Sequence, residues 1–160
     1  MGIIEEKIIK AGFLLPQSAA VAGLYSPAMR SGNLVYTSGQ LPLFDGKFIE
    51  PGGKGKIDEE RKEEAVYAAR VALINALAAV KSVTGTLDRI EQIIKLTLYV
   101  ASKNNFSSQH LIANGASSLL HEIFGERGGH ARSAVGVAEL PLNSSLELEL
   151  IVEYNPASLL

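Results

Sequence analysis

The most regular pattern in the chain lies in Leu146–Tyr154. Leu146, Leu148, Leu150 and Val152 alternate with Glu147, Glu149 and Glu153, and a period of two with the apolar residues in one phase marks a strand with one buried face. Upstream, Ala131–Val137 mixes small and β-branched residues around a single cation, Arg132. Pro141, Asn143, Ser144 and Ser145 between the two runs signal a turn, so the pair reads as an antiparallel hairpin. A further half-buried strand follows from Ile94, Leu96, Leu98 and Val100 alternating with Lys95, Thr97 and Tyr99.

Elsewhere the period changes to that of a helix. Val66, Ala69, Leu73, Leu77 and Val80 recur at helical spacing, with Asp58 as N-cap, Glu59, Glu60, Glu63 and Glu64 at the positive end of the dipole, and Gly85 as the stop. Residues 105–124 predict a second helix with Leu111, Ile112, Leu119, Leu120 and Ile123 inward and Gly125 closing it. A short amphipathic helix is expected over residues 3–11, with Ile3, Ile4, Ile8 and Ile9 on one side and Gly12 ending it; Leu14-Leu15-Pro16 then begins an extended lead-in. Strands at 28–30 and 34–38 flank the turn Ser31-Gly32-Asn33. The resulting order, ββαβαββ after a short N-terminal helix, is α+β: a mostly antiparallel sheet covered on one face by two helices. A sheet so covered leaves its other face in need of a partner, because apolar strand faces rarely stay exposed. That is a physical reason to expect an oligomer.

The hairpin register bears on chemistry. With its turn near Leu142 and Asn143, Arg132 faces Glu153 and Glu147 faces Ala138. At ~3.3 Å per residue, Arg132 and Glu147 are then roughly 20 Å apart in one chain. They can share a small-molecule site only if a neighbouring subunit supplies one of them. From spacing alone, the favoured reading is an ordinary edge charge at Arg132 and a solvated, outward Glu147.

The 160 residues suit one domain with a single core, and 47% hydrophobic with 20% charged residues are globular values. A net charge of −2 and sparse aromatics, with no Trp, give no basic face and no stacking platform for nucleic acid. No apolar run suggests a membrane span of ~20 residues. The absence of cysteine removes disulfides and thiolate metal sites and, with no recognisable signal peptide, favours the cytoplasm. Residues 44–57 hold Gly46, Gly52, Gly53 and Gly55 with Lys47, Lys54 and Lys56, but not in the order GxxxxGK[ST]; Ile57 follows Lys56 where a hydroxyl would be needed. The segment reads as a mobile surface loop that binds no nucleotide. His110, His121 and His130 lack metal-ligand spacing, and His121-Glu122 does not continue into HExxH. Ser26 and Ser38 have no evident base nearby in sequence.

Three segments, in order, carry a family resemblance: Gly23-Leu24-Tyr25-Ser26-Pro27-Ala28, then Asn33 to Pro42 with its Ser38-Gly39-Gln40, then Ala131-Arg132-Ser133-Ala134-Val135-Gly136-Val137-Ala138-Glu139-Leu140-Pro141 followed by Leu146-Glu147-Leu148-Glu149. Together they resemble the RidA/YjgF family, the reactive-intermediate deaminases historically labelled endoribonuclease L-PSP. The resemblance implies a chorismate-mutase-like fold, a homotrimer with sites between subunits and no cofactor. It also implies hydrolysis of 2-imino or enamino acids to 2-keto acids and ammonia. Carried over by position, Arg132 clamps the substrate carboxylate and Glu147 orients or deprotonates water, with Glu149 its nearest competitor. Ser38 and the Gly39 amide meet the other end of the substrate, Tyr25 walls the pocket, and Asn114 matches a site asparagine. The departures are His130 where many relatives have proline, Ala134 where cysteine is common, and a longer lead-in and second helix, as in a longer-form branch. Two functions therefore stand side by side: an imine deaminase, and a catalytically silent trimer that binds small carboxylates in a regulatory role. The ribonuclease label finds no support in charge or aromatics.

Overall fold

The computed structural model describes residues 1–17 and 24–156; Gly23 and part of the lead-in lie outside them. The elements are α1 (Ile3–Lys10), β1 (Ala28–Ser31), β2 (Leu34–Thr37), β3 (Leu43–Phe44), β4 (Lys47–Phe48), α2 (Lys62–Thr84), β5 (Ile90–Ala101), α3 (Gln109–Phe124), β6 (Ala131–Val137) and β7 (Leu146–Tyr154). Five strands form one sheet in the order β1-β2-β7-β5-β6, antiparallel except for β5 with β6. The expected α+β architecture, with helices on one face and a short N-terminal helix, is the one observed.

β7 sits mid-sheet, and its alternation is expressed in full: Leu146, Leu148, Leu150, Val152 and Tyr154 are buried while the glutamates between them are only half-buried. With Leu96, Leu98 and Val100 of β5 and Val35 of β2 they form the floor on which α2 and α3 pack. α2 is apolar almost all round, because one side meets the sheet and another meets α3. By length and composition alone it is apolar enough to cross a membrane, contrary to the reading of the sequence; here it is the core helix. Burying that much apolar surface is the main driving force of the fold.

The hairpin expected of the last two strands does not form. β5 lies between β6 and β7, so Arg132 is in register with Leu96, and Leu96 with Leu150. The reason is in the connector. Leu142 and Asn143 both adopt positive φ, and the segment straps over the end of β5: Ser102 N–H donates to Val137 O and Ala101 N–H to Ser145 O. Neither Arg132–Glu153 nor Glu147–Ala138 is a pair; Glu147 lies beside Tyr99.

Smaller corrections have local causes. The register of β5 shifts between Ile93 and Lys95, so Ile93, not Ile94, joins the core phase. Asp58 accepts from Arg61 N–H in a turn that precedes α2, and Asn105, at φ 68, delays α3 to Gln109. In α1 only Ile4 and Ile8 are buried, and its first amides are capped by the distant Asp88, which accepts from Ile3 and Ile4 N–H at 3.0 and 2.8 Å. Residues 44–57 are not a loose loop. β3 and β4 pair through a turn at Asp45 and Gly46, and Gly52 and Gly53 are buried. Arg61 donates to the carbonyls of Lys54 and Lys56, and Ser145 Oγ to that of Gly52.

α2 and α3 lie in close contact where Gly115 meets Val66. A Cβ there would overlap the Val66 carbonyl oxygen and lie 2.9 Å from Val66 Cγ1. Helix propensity favours alanine over glycine by about 1 kcal/mol, whereas forced overpacking costs about 1–3 kcal/mol. Gly115→Ala is expected to lower the urea midpoint; a rise would show that the helices can move apart at no cost.

Candidate functional site

Paired residues on adjacent strands share a face, so Arg132 follows Leu96 to the helix side of the sheet. β6 is an edge strand, and there the side chain meets α3. Arg132 Nη1 donates to Asn114 Oδ1 at 2.8 Å and to Ser117 Oγ at 3.1 Å, and Nη2 donates to His110 O at 3.3 Å. A guanidinium has five N–H donors. Among the described residues, the Nε–H and the second Nη2–H make no hydrogen bond, and these two form one edge of the planar fork. Asn114 and Ser117 are three residues apart on α3, hence on one helical face.

Glu147 points the other way. Its neighbours Tyr99 and, one pair along, Thr97 and Glu149 belong to the uncovered face. Glu147 is half-buried, and burial first, then the charge of Glu149, pushes its carboxyl above the ordinary glutamate value. Tyr99 Oη donates to Glu149 Oε1 at 3.1 Å, so Glu149 is tied down, whereas Glu147 has no hydrogen-bond partner among the described residues. Burial and the two glutamates raise the Tyr99 phenol as well. A cavity of about 120 Å³ on this face is lined by Tyr36, Lys95, Thr97, Glu149 and Ile151 among others.

The Ser38–Gln40 segment covers Glu147. Gln40 bridges to Leu148, and a Cβ on Gly39 would come within 2.5 Å of the Glu147 carboxyl, so a side chain there would push that carboxyl from its present place. The Gly39 amide donates to no described residue. Ser38 Oγ donates to Ser26 O at 2.6 Å, and Ser38 N–H to Pro27 O. That tethers the neighbouring, exposed Tyr25 at the same corner. Two candidate half-sites thus lie in one chain: Arg132 with Asn114 on the helix side, and Glu147 with Gly39 on the other, where Ser38 adjoins Gly39 in sequence and its bond to Ser26 O holds the residue next to Tyr25. By register the two are about 10 Å apart along the strands and about 10 Å across two strand spacings, on opposite faces of the sheet.

Two residues of the first half-site escaped the sequence reading. Ser117 is found by its i,i+3 spacing from Asn114, and His130 by its i,i+2 relation to Arg132. His130 Nε2 lies 2.9 Å from Ser117 Oγ, and Nδ1 lies 2.6 Å from Gly128 O. Burial, with His121 and Arg132 nearby, holds its pKa below the ordinary histidine value, although the Gly128 hydrogen bond acts in the opposite direction. Among the described residues no group of three or more His, Asp or Glu is placed to hold a metal.

An α+β sheet with one helical layer, carrying an arginine fork at its edge strand and a carboxylate on its open face, defines a chorismate-mutase-like fold. The chain belongs to the family described as "YjgF/chorismate_mutase-like, putative endoribonuclease", whose sequence profile matches residues 5–154. It is 36% identical over 155 residues to Protein TCP17 of Trypanosoma cruzi, covering 96% of each chain. A crystal structure of Atu1372 from Agrobacterium tumefaciens, a protein of unknown function, superimposes with a TM-score of 0.86 at 42% identity, over 96% of this chain and 93% of that one. A 2-iminobutanoate/2-iminopropanoate deaminase of Dermatophagoides farinae is 29% identical over 137 residues, 86% of this chain and 91% of that protein.

The raised Glu147 carboxyl has a consequence for stability. An acid whose folded pKa exceeds its unfolded one binds more protons in the folded state, so stability falls as pH rises through that window. Its window starts at the ordinary 4.5 and extends upward. Glu147→Gln is expected to raise the thermal midpoint at neutral pH, with the gain shrinking as pH falls into the carboxylate range. An equal gain at both pH values would mean that packing, not charge, is responsible.

Proposed function

We propose that the protein is a hydrolytic deaminase of reactive 2-imino or enamino acids that works as a homotrimer with its sites between subunits. The observation that carries this reading is the Arg132 fork, held by α3 through Nη1 and Nη2 with its Nε–Nη2 edge left over. Two parallel N–H donors suit the two oxygens of a planar carboxylate, and such charge-assisted pairs are strong and directional. The second support is the half-buried Glu147 under the Gly39 amide. The third is the likeness to a 2-iminobutanoate/2-iminopropanoate deaminase. Since the two half-sites occupy opposite faces of one sheet, a shared site needs Glu147 from a neighbouring subunit. The incompletely covered face, with Met29, Tyr36 and Val135 exposed, gives that neighbour an apolar surface.

In this reading Arg132 and Asn114 hold the carboxylate and fix the adjacent C=N carbon. Glu147 accepts a proton from water as the water oxygen bonds to that carbon, and its raised pKa brings it nearer to what a general base at neutral pH requires. That proton passes to nitrogen to give a carbinolamine; its hydroxyl proton then moves, through Glu147, to the same nitrogen as C=O forms, the C–N bond breaks and ammonia leaves. One C=NH and one water give one C=O and one NH3, so water is the only co-reactant. Ser38, Gly39 and Tyr25 line the Glu147 side.

Binding and chemistry separate by mutation. Arg132→Lys keeps the charge but loses the fork, and a lost charge-assisted hydrogen bond costs ~1.5–3 kcal/mol, or roughly ten- to hundred-fold in 2-keto acid affinity. Glu147→Gln should keep that affinity and abolish single-turnover hydrolysis of freshly generated 2-aminoacrylate. Wild type that binds but never accelerates hydrolysis would leave the silent carboxylate-binding module as the function. Light scattering should give a trimer; a stable monomer at micromolar concentration would end the shared-site reading. Co-refolding the two variants in equal amounts should, at substrate concentrations too low to fill the weakened Arg132→Lys sites, give about a quarter of wild-type activity, since random assembly pairs an intact Arg132 with an intact Glu147 at that frequency. No recovery would place both residues' function within one chain.

A further inference from the structure

The hydrogen bonds behind Arg132 run in a single direction. A carbonyl oxygen can only accept, so the contact of His130 Nδ1 with Gly128 O at 2.6 Å places the ring proton on Nδ1. Nε2 of a neutral ring is then an acceptor, and the Ser117 hydroxyl, 2.9 Å away, must donate to it. With its proton so committed, Ser117 Oγ presents lone pairs, and Arg132 Nη1 donates to them at 3.1 Å. The other Nη1 proton goes to Asn114 Oδ1. We propose that Ser117 and His130 are positioning residues for Arg132, a chain running from Nη1–H to the Ser117 hydroxyl to His130 Nε2 and anchored on the Gly128 carbonyl, which turns the Nε–Nη2 edge toward the carboxylate of a 2-imino or 2-keto acid. The role rests on the reading of Arg132 as the carboxylate clamp, whereas the chain itself is a property of the unliganded protein.

A Ser–His contact of this geometry also invites a nucleophilic reading. The serine oxygen, however, already accepts from a guanidinium, which lowers its nucleophilicity. Ser117 lies within α3, where backbone amides are spent on carbonyls one turn earlier, leaving no backbone amides to form an oxyanion hole. Positioning is what the contacts fit.

The arrangement is sensitive to the charge of His130. The groups facing its ring are His121 and Ser117 from α3, Arg132 from β6 and the Gly128 carbonyl from the turn before β6, with the His121 ring centroid 6.0 Å away. No carboxylate is among the groups that shift its titration. Protonation converts Nε2 into a donor and sets a second cation behind the guanidinium. Ser117 Oγ then faces two donors, and the one-way order is lost. His130→Gln offers a neutral acceptor to Ser117 without a titration, and His130→Leu offers none.

Two measurements on the full chain test this. The first is 15N NMR of the imidazole and guanidinium groups without ligand. Expected are an Nδ1-protonated His130 and slowly exchanging Arg132 Nη protons that broaden in Ser117→Ala and His130→Leu. An Nε2-protonated ring, or Arg132 signals unchanged by both substitutions, overturns the proposal whatever the ligand. The second is 2-keto acid affinity against pH, with pyruvate as probe. Wild type should weaken as His130 protonates. His130→Gln should bind within about threefold of wild type at neutral pH and lose that pH step, while Ser117→Ala and His130→Leu should bind about five- to tenfold more weakly at unchanged thermal midpoint. If both bind like wild type and Arg132→Lys does not, the positioning role fails and the clamp stands. If Arg132→Lys also binds like wild type, the clamp reading itself fails, and the NMR result alone decides whether the chain exists.

Discussion

The alternation of β7 divides the molecule into two environments. Its leucines lie under α2 and α3, where the interior is closely packed, and its glutamates lie on a face that no helix covers. Every strand hydrogen-bonded in register with β7 inherits that division, because side chains at paired positions share a face. Tyr99 and Thr97 therefore join the glutamates, and Leu96 and Leu98 join the leucines. β6, added parallel to β5, extends the same rule to the sheet edge, and Arg132 is committed to the helix side by its pairing with Leu96.

The electrostatics follow from that geometry. Arg132 is held against α3 by three acceptors of which none is charged, so among the described residues no carboxylate pairs with it and its charge is open to an anion. Glu147 has the opposite problem. Half-buried, beside another carboxylate and without a cation among the causes of its shift, it is raised above the ordinary glutamate value. A cation site and a basic carboxylate are what hydrolysis of an imino acid would use, and one chain holds them on opposite sides of a sheet. The proposed trimer is the economical way to bring them face to face.

Close approach is the other constraint, and glycine meets it twice. At Gly115 the helical layer lies near enough for Val66 to fill the space of a side chain, and at Gly39 the Ser38–Gln40 segment descends onto Glu147. The segment at 44–57, for all its glycines, is held by Arg61 and Ser145 and continues the same packed surface. Its lysines have neighbours as well: Lys54 lies over the Phe48 ring and Lys56 pairs with Glu139.

Local information in the chain determined the α+β class, the strand phases of β5 and β7 and both long helices, because apolar periodicity is a property of neighbouring residues. Gly85 and Gly125 marked helix ends for the same reason: both have positive φ, which L side chains seldom adopt. It also singled out Arg132, Glu147, Ser38, Gly39, Tyr25 and Asn114 through family resemblance. What it did not hold was the order of strands. A turn signal between β6 and β7 looks the same whether the strands pair or a third lies between them; the connector strapped over the end of β5, and the core under Leu96, place β5 there. With the order went the faces, hence the separation of Arg132 from Glu147. Ser117 and His130 belong to different elements, thirteen positions apart, and their contact exists only once α3 lies against β6. Tertiary structure decided that contact because hydrogen-bond direction depends on which groups meet in space.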